Sequence, residues 1–255
     1  MIDERSLTGG IMESNDMKRY TLENIKLIGM MGVNEDKKIS TLLNHLFMSA
    51  GKKVAFIDLA DSSNHSLRME ELLYSHMNIS DGELEYAVAH LPYQALCHND
   101  LLNISLDSVI HTFIGESSKN ERHRVNEVFK NLSSKGLAII NVDDEAHLDF
   151  VRYLEDKLII TYGLSPRATI TASSIEAASN LHFTCCIQRG ITTRSGLEID
   201  PMEFPVFIPN FGKEDVHYAL AAIGVGLICG VSLEKIMEAF QVHEQTTKKI
   251  KYESR

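Results

Sequence analysis

Between residues 25 and 162 the chain alternates short apolar runs with segments whose apolar residues recur every three or four positions. That alternation constrains its fold more than any other feature. IKLIG, VAFID, YAVAH, SVIHTFI, LAIINV and LIITY read as strands, several of them apolar throughout and therefore buried on both faces. Ile39, Leu42, Leu43, Leu46 and Phe47 have helical spacing after the first run, and helical patterns recur near 67–74, 125–132 and 146–154. Strands separated by helices pair in parallel with helices on each face. The expected fold class is α/β, a doubly wound, mainly parallel sheet flanked by helices.

After Gly163 the pattern changes. ATITASSIEAASNLHFTCCIQ, the turn-rich RSG and EFPVFIP predict two or three antiparallel strands, expected to form a small β lobe over about 165–210. Helices over 215–229 and 233–240 follow, separated by the helix-ending Gly230 and a Ser232 cap. Residues 1–22, with mixed charge and no sustained period, read as an N-terminal arm, 23–245 as one domain, and 246–255 as a tail.

Composition excludes several partners. With 255 residues and 44% hydrophobic content the chain can bury a substantial core. Its net charge is -10 and its basic residues are scattered, which argues against nucleic acid and anionic lipid. The longest apolar stretch, 218–231, is shorter than the roughly 20 residues a membrane span needs, so it predicts a buried helix. Cys97, Cys185, Cys186 and Cys229 show no metal-ligand spacing and no secretory signal is present, so a reducing, cytoplasmic setting is expected.

The segment GMMGVNEDKK, residues 29–38, joins the first strand to the first helix, where nucleotide-binding proteins place a phosphate loop. Such loops end Gly-Lys-Ser/Thr; here Glu35, Asp36 and Lys37 hold those places. Two unit charges about 4 Å apart interact by roughly 4 kcal/mol at an effective dielectric of about 20, so an aspartate in place of lysine turns attraction into comparable repulsion. Two readings remain open: Gly29 and Gly32 only turn the chain from strand to helix, or Lys37 or Lys38 moves into the vacant place. The first is preferred.

From here the order of motifs resembles the central ATP-binding domain of the Mur ligase family, a P-loop-NTPase-like fold, in the type that extends a UDP-muramoyl peptide by its third residue. Gly29, Gly32, Asn34 and AGKKVAFID fit the family's G-x-x-G-T-N-G-K-T and A-G-K-K-V; 136–176 resembles its G-x-A-V-I-N-x-D-D to A-x-I segment; and 207–236 resembles G-x-F-N-x-x-N-A-L-A-A to G-V-x-x-E-x-I. The resemblance implies ATP-dependent amide synthesis with magnesium, a loop lysine, a carbamoylated lysine and flanking domains. Several of these parts differ here. His90 stands where the resemblance places the magnesium carboxylate, Phe113 follows the retained Thr112 in place of asparagine, and the carbamoylated lysine falls near Val125. His98, His111 and His123 show no metal spacing that would repair the site.

On the nucleotide side the resemblance points to Thr112, Asn141, Asp143, Asp144, Asp215 and Tyr218, the last two replacing asparagines. Asn141, Asp143 and Asp144 fit a strand-to-helix turn with acidic capping equally well, and that role is preferred. With about 22 residues before the core and an end at Arg255, the expectation is a central domain without its neighbours. The preferred expectation is therefore a catalytically inactive, cytoplasmic binding or scaffold protein, a homo-oligomer or the partner of another protein, with no cofactor. The alternatives are an ATP- and magnesium-dependent ligase or nucleotide-binding subunit completed by a partner, and a module that recognises a uridine nucleotide or peptide precursor.

Overall fold

The computed structural model describes residues 25–32, 36–59, 84–91, 105–114, 119–154, 156–193 and 196–241. Asn34, Glu35, Cys97, His98, the helix expected near 67–74, the arm 1–22 and the tail 246–255 lie outside the described residues.

The apolar runs become strands β1 (Lys26–Met31), β2 (Val54–Asp58), β3 (Tyr86–His90), β4 (Leu106–His111), β5 (Leu132–Asn141) and β6 (Leu158–Tyr162). They pair in parallel in the order β2, β3, β1, β4, β5, β6. Their helical partners are α1 (Asp36–Ser49), α2 (Lys119–Lys130) and the short α3 (His147–Val151). Side chains alternate across each strand, so successive residues feed opposite layers. Ile28 and Met30 of β1 join Leu42, Leu43, Leu46 and Phe47 of α1 in one buried cluster. Leu27 and Met31 join Val125, Phe129 and Phe150 of α2 and α3 in the other. Each large side chain so buried contributes roughly 1.5–3 kcal/mol, which makes the two-layer cover of the sheet its main source of stability.

The C-terminal half follows the expected elements with one difference of placement. Strands β7 (Ile170–Ala177), β8 (Asn180–Ile187) and β11 (Met202–Pro209) are antiparallel to one another, as their alternation predicts. They do not stand apart as a lobe. Strand β7 pairs in parallel with β6 through Tyr162 and Ile170, so all three extend the main sheet to nine strands. Only β9 (Ile191–Thr192) and β10 (Glu198–Ile199) form a separate small antiparallel sheet. The physical reason is cover: Leu181, Phe183, Cys185, Phe204, Val206 and Ile208 bury their shared face in the same cluster as α1. Helices α4 (Val216–Ile228) and α5 (Leu233–Gln241) roof that cluster. Buried Ala219, Leu220, Ala221, Ala222, Ile223 and Val225 explain why α4 is apolar all round: it is a core helix. Among the described residues no helix is long and apolar enough to cross a membrane.

Strand β1 lies between β3 and β4, while the chain passes from β1 to the edge strand β2 before returning to β3. The connections therefore leave in opposite directions beside β1, and such a switch point opens a crevice at the carboxyl ends of the strands.

Candidate functional site

The carboxyl ends of β1, β3, β4 and β5 lie side by side at this switch point, where β1 leads toward α1. Gly29 lies within β1, opposite Ala89 and Val109, and takes no part in a turn. A Cβ there would fall 2.9 Å from the side chains of both Leu91 and Leu106. At Gly32 the constraint is tighter, since an added Cβ would stand 1.8 Å from Thr112 Oγ1. Thr112 is buried and fastens β4 to β1: its N–H and its hydroxyl both donate to the Met31 carbonyl, at 2.8 and 2.9 Å. Close packing thus requires glycine at 32, whereas at 29 an added Cβ would meet only the ends of two leucine side chains.

Asp36 opens α1 and Lys37 is exposed on its first turn. Lys38 reaches the segment that leads into α4. Its Nζ donates to both carboxylate oxygens of Asp215, at 2.7 and 2.8 Å, and lies 5.8 Å from the centre of the Phe211 ring. The Asp215 side chain is only 2% exposed, and its Oδ2 also accepts the Gly212 N–H at 2.9 Å. Tyr218 is one turn further into α4 and packs against the core rim.

His90 ends β3, with Met30 and Asp58 as its register neighbours on either side. Its Nδ1 is 3.0 Å from Asp58 Oδ1. An imidazole paired with a carboxylate is a poor substitute for a hard oxygen donor to magnesium. Among the described residues no group of three or more His, Cys, Asp and Glu side chains is placed to hold a metal ion.

The N-x-D-D stretch turns its polar groups onto the protein's own backbone. Asn141 Nδ2 donates to the Thr112 carbonyl at 2.7 Å and its Oδ1 accepts the Asp143 N–H at 3.0 Å. Asp143 accepts the N–H groups of Leu164 and Ser165 and is 2.8 Å from His217 Nε2. Asp144, almost fully buried, accepts the N–H groups of Ile114 and Ala146. His111 lies beside it with no solvent exposure. Its Nε2 is 3.2 Å from Asp144 Oδ2, near enough for an electrostatic contact though outside hydrogen-bond alignment, and its Nδ1 has no hydrogen-bond partner among the described residues. Burial holds the imidazole below its ordinary pKa against the opposing pull of Asp144. For Asp144 burial works upward, but His111 and the two backbone N–H groups outweigh it and hold the carboxyl below the usual range.

The structure therefore brings Gly32, His90, Thr112, Asn141, Asp143 and Asp144 to the carboxyl ends of the parallel strands and pairs Lys38 with Asp215 beside them. Sequence reasoning missed the parts played by Asp58, His111 and His217. Each is one half of a pair whose other half lies 30 to 75 positions away in the chain, a separation that leaves no local pattern.

No family model matches the chain. Over 222 aligned positions it is 25% identical to a UDP-N-acetylmuramate–L-alanine ligase of Chromobacterium violaceum, covering 83% of this chain and 42% of that one. Over 257 aligned positions it is 23% identical to a UDP-N-acetylmuramoyl-L-alanyl-D-glutamate–2,6-diaminopimelate ligase of Helicobacter pylori, covering 92% and 54%. The chain spans about half the length of the curated relatives it matches. Among solved structures it superposes on MurF from Acinetobacter baumannii with a TM-score of 0.66 at 17% identity, over 88% of this chain and 47% of that one. A MurF ligase from Thermotoga maritima in complex with ADP gives 0.58 at 11% identity, over 93% and 55%. At these identities the superpositions establish a shared fold.

Proposed function

We propose, on the premise that this chain is a relative of the Mur ligases with the fold of their central domain, that it acts as a protein-binding or scaffold module that has given up ATP chemistry. The observation that carries this reading is Lys38. A cation able to reach a phosphate from the first turn of α1 is bound instead, through both carboxylate oxygens, to a buried aspartate of the same chain. In the sequence, Glu35 and Asp36 stand at the positions where the resemblance has the glycine and lysine of a phosphate loop. The turn roles of Asn141, Asp143 and Asp144 support the same reading, because backbone N–H groups already occupy these acceptors. The process served, by analogy with the relatives, is the handling of cell-wall precursors or amino-acid polymers.

A second reading keeps one observation in its favour: Lys37 is exposed on the first turn of α1. On that reading the chain is an ATP-dependent ligase or a nucleotide-binding subunit that a partner completes. Titration calorimetry with ATP and magnesium separates the two. The expected result is no binding at micromolar ATP for the natural sequence, with measurable affinity appearing in the double substitution Glu35→Gly, Asp36→Lys. Micromolar binding that disappears on Lys37→Ala would establish the second reading instead.

A further inference from the structure

Asp215 presents an unusual problem for the fold. Its carboxylate is 2% exposed, sits at the entrance to an apolar helix, and would be costly to bury without a cation. The backbone contributes only partial compensation, through the Gly212 N–H. The compensating charge comes from Lys38, 177 positions earlier, on the helix that follows the loop. The ammonium also faces the Phe211 ring, so two groups from the 211–215 segment converge on it, an aromatic face and a carboxylate with both oxygens engaged.

The two helices joined in this way lie side by side in the same core layer. Along their lengths they are packed through Leu42, Leu43 and Leu46 of α1 and the apolar body of α4. At their N-termini the Lys38–Asp215 contact is a charged link.

We propose that Phe211 and Asp215 form an ammonium pocket filled in cis by Lys38, and that the filled pocket is a latch holding the first turn of α1 against the start of α4. This rests on the reading that the crevice is not used for ATP, and it adds the means by which the loop helix stays ordered there. The latch makes this contact self-sufficient: the charge that a ligand would otherwise bring is part of the chain.

Hydrogen exchange read by mass spectrometry tests it on the full chain with the variants Lys38→Met, Asp215→Asn and the two combined. Lys38→Met is expected to speed exchange of the amides of residues 40–44 and of Gly212 by about tenfold or more, as an uncompensated buried carboxylate loosens both segments. The combined variant, which removes that carboxylate's charge as well, is expected to exchange no faster than Lys38→Met alone. Unchanged exchange in Lys38→Met, or effects of the two substitutions that simply multiply, would overturn the latch. ATP titration of the natural protein reports separately on the function proposed above, because nucleotide binding there leaves the exchange comparison between variants intact.

Discussion

Gly32 shows how little freedom the crevice leaves a single residue. Its missing side chain is the space taken by Thr112 Oγ1, and Thr112 in turn holds the end of β4 to β1 through two bonds to one carbonyl. A methyl group cannot be accommodated there without displacing a buried hydroxyl. Gly32→Ala is expected to destabilise the protein by about 1–3 kcal/mol. Thr112→Ala removes the clashing oxygen, so in the combined variant the two costs should be less than additive; urea unfolding of the three variants measures this. The sequence marks both positions, since a glycine and a threonine after apolar runs invite attention. It does not show that each exists because of the other. That dependence arises only when β4 is laid beside β1 in the observed register.

At the scale of elements, the buried pair of His111 on β4 and Asp144 after β5 ties strand ends to the turn that leads into α3. Both groups titrate below their ordinary values in the folded protein. A histidine with a lowered folded pKa binds protons more readily when unfolded, so its stabilising effect is complete above its unfolded pKa of about 6.5 and is lost as pH falls below that value. Asp144 has the same sign in a lower window, its contribution being lost below about 3.8. Stability is therefore expected to decline between pH 7.5 and 5.5, and the decline should flatten in His111→Gln. Urea midpoints at the two pH values compare them. A natural protein and variant with equal slopes would remove His111 from the account.

Strands and helices themselves were largely legible from periodicity: β1 to β4, β6, α1 and α4 fall where apolar spacing predicts them, while β5 starts at Leu132, where a helix was expected, ahead of the run LAIINV. The placement of β7, β8 and β11 was not. Alternation in ITASSIEA and NLHFTCCI reveals antiparallel strands but not which sheet they join. One parallel pairing, Tyr162 with Ile170, together with the cover supplied by α4 and α5, decided that they extend the main sheet.

For the whole molecule, the two core layers satisfy the sheet within the chain, yet Phe113, Leu148 and Leu164 remain exposed on segments that follow β4, β5 and β6 at the carboxyl ends of the strands. Phe113, 53% exposed, replaces an asparagine that the resemblance leads one to expect. Large apolar side chains left bare near one end of a sheet are commonly covered by a second copy or a partner. Light scattering on the purified protein is expected to give a mass of at least two chains, or a complex with a co-purifying protein, and Phe113→Ser with Leu148→Ser should shift it toward the monomer. A monomer at all concentrations with nothing bound would count against the scaffold reading.

By itself the sequence determined the α/β pattern, the buried character of α4 and the acidic chemistry of Glu35 and Asp36, because these depend on local spacing and on residue type. Only the tertiary structure decided that Lys38 serves Asp215, that Gly32 answers to packing, and that the N-x-D-D carboxylates face their own backbone. Those outcomes depend on distances between groups far apart in the chain, which become short only when the strands are ordered around β1.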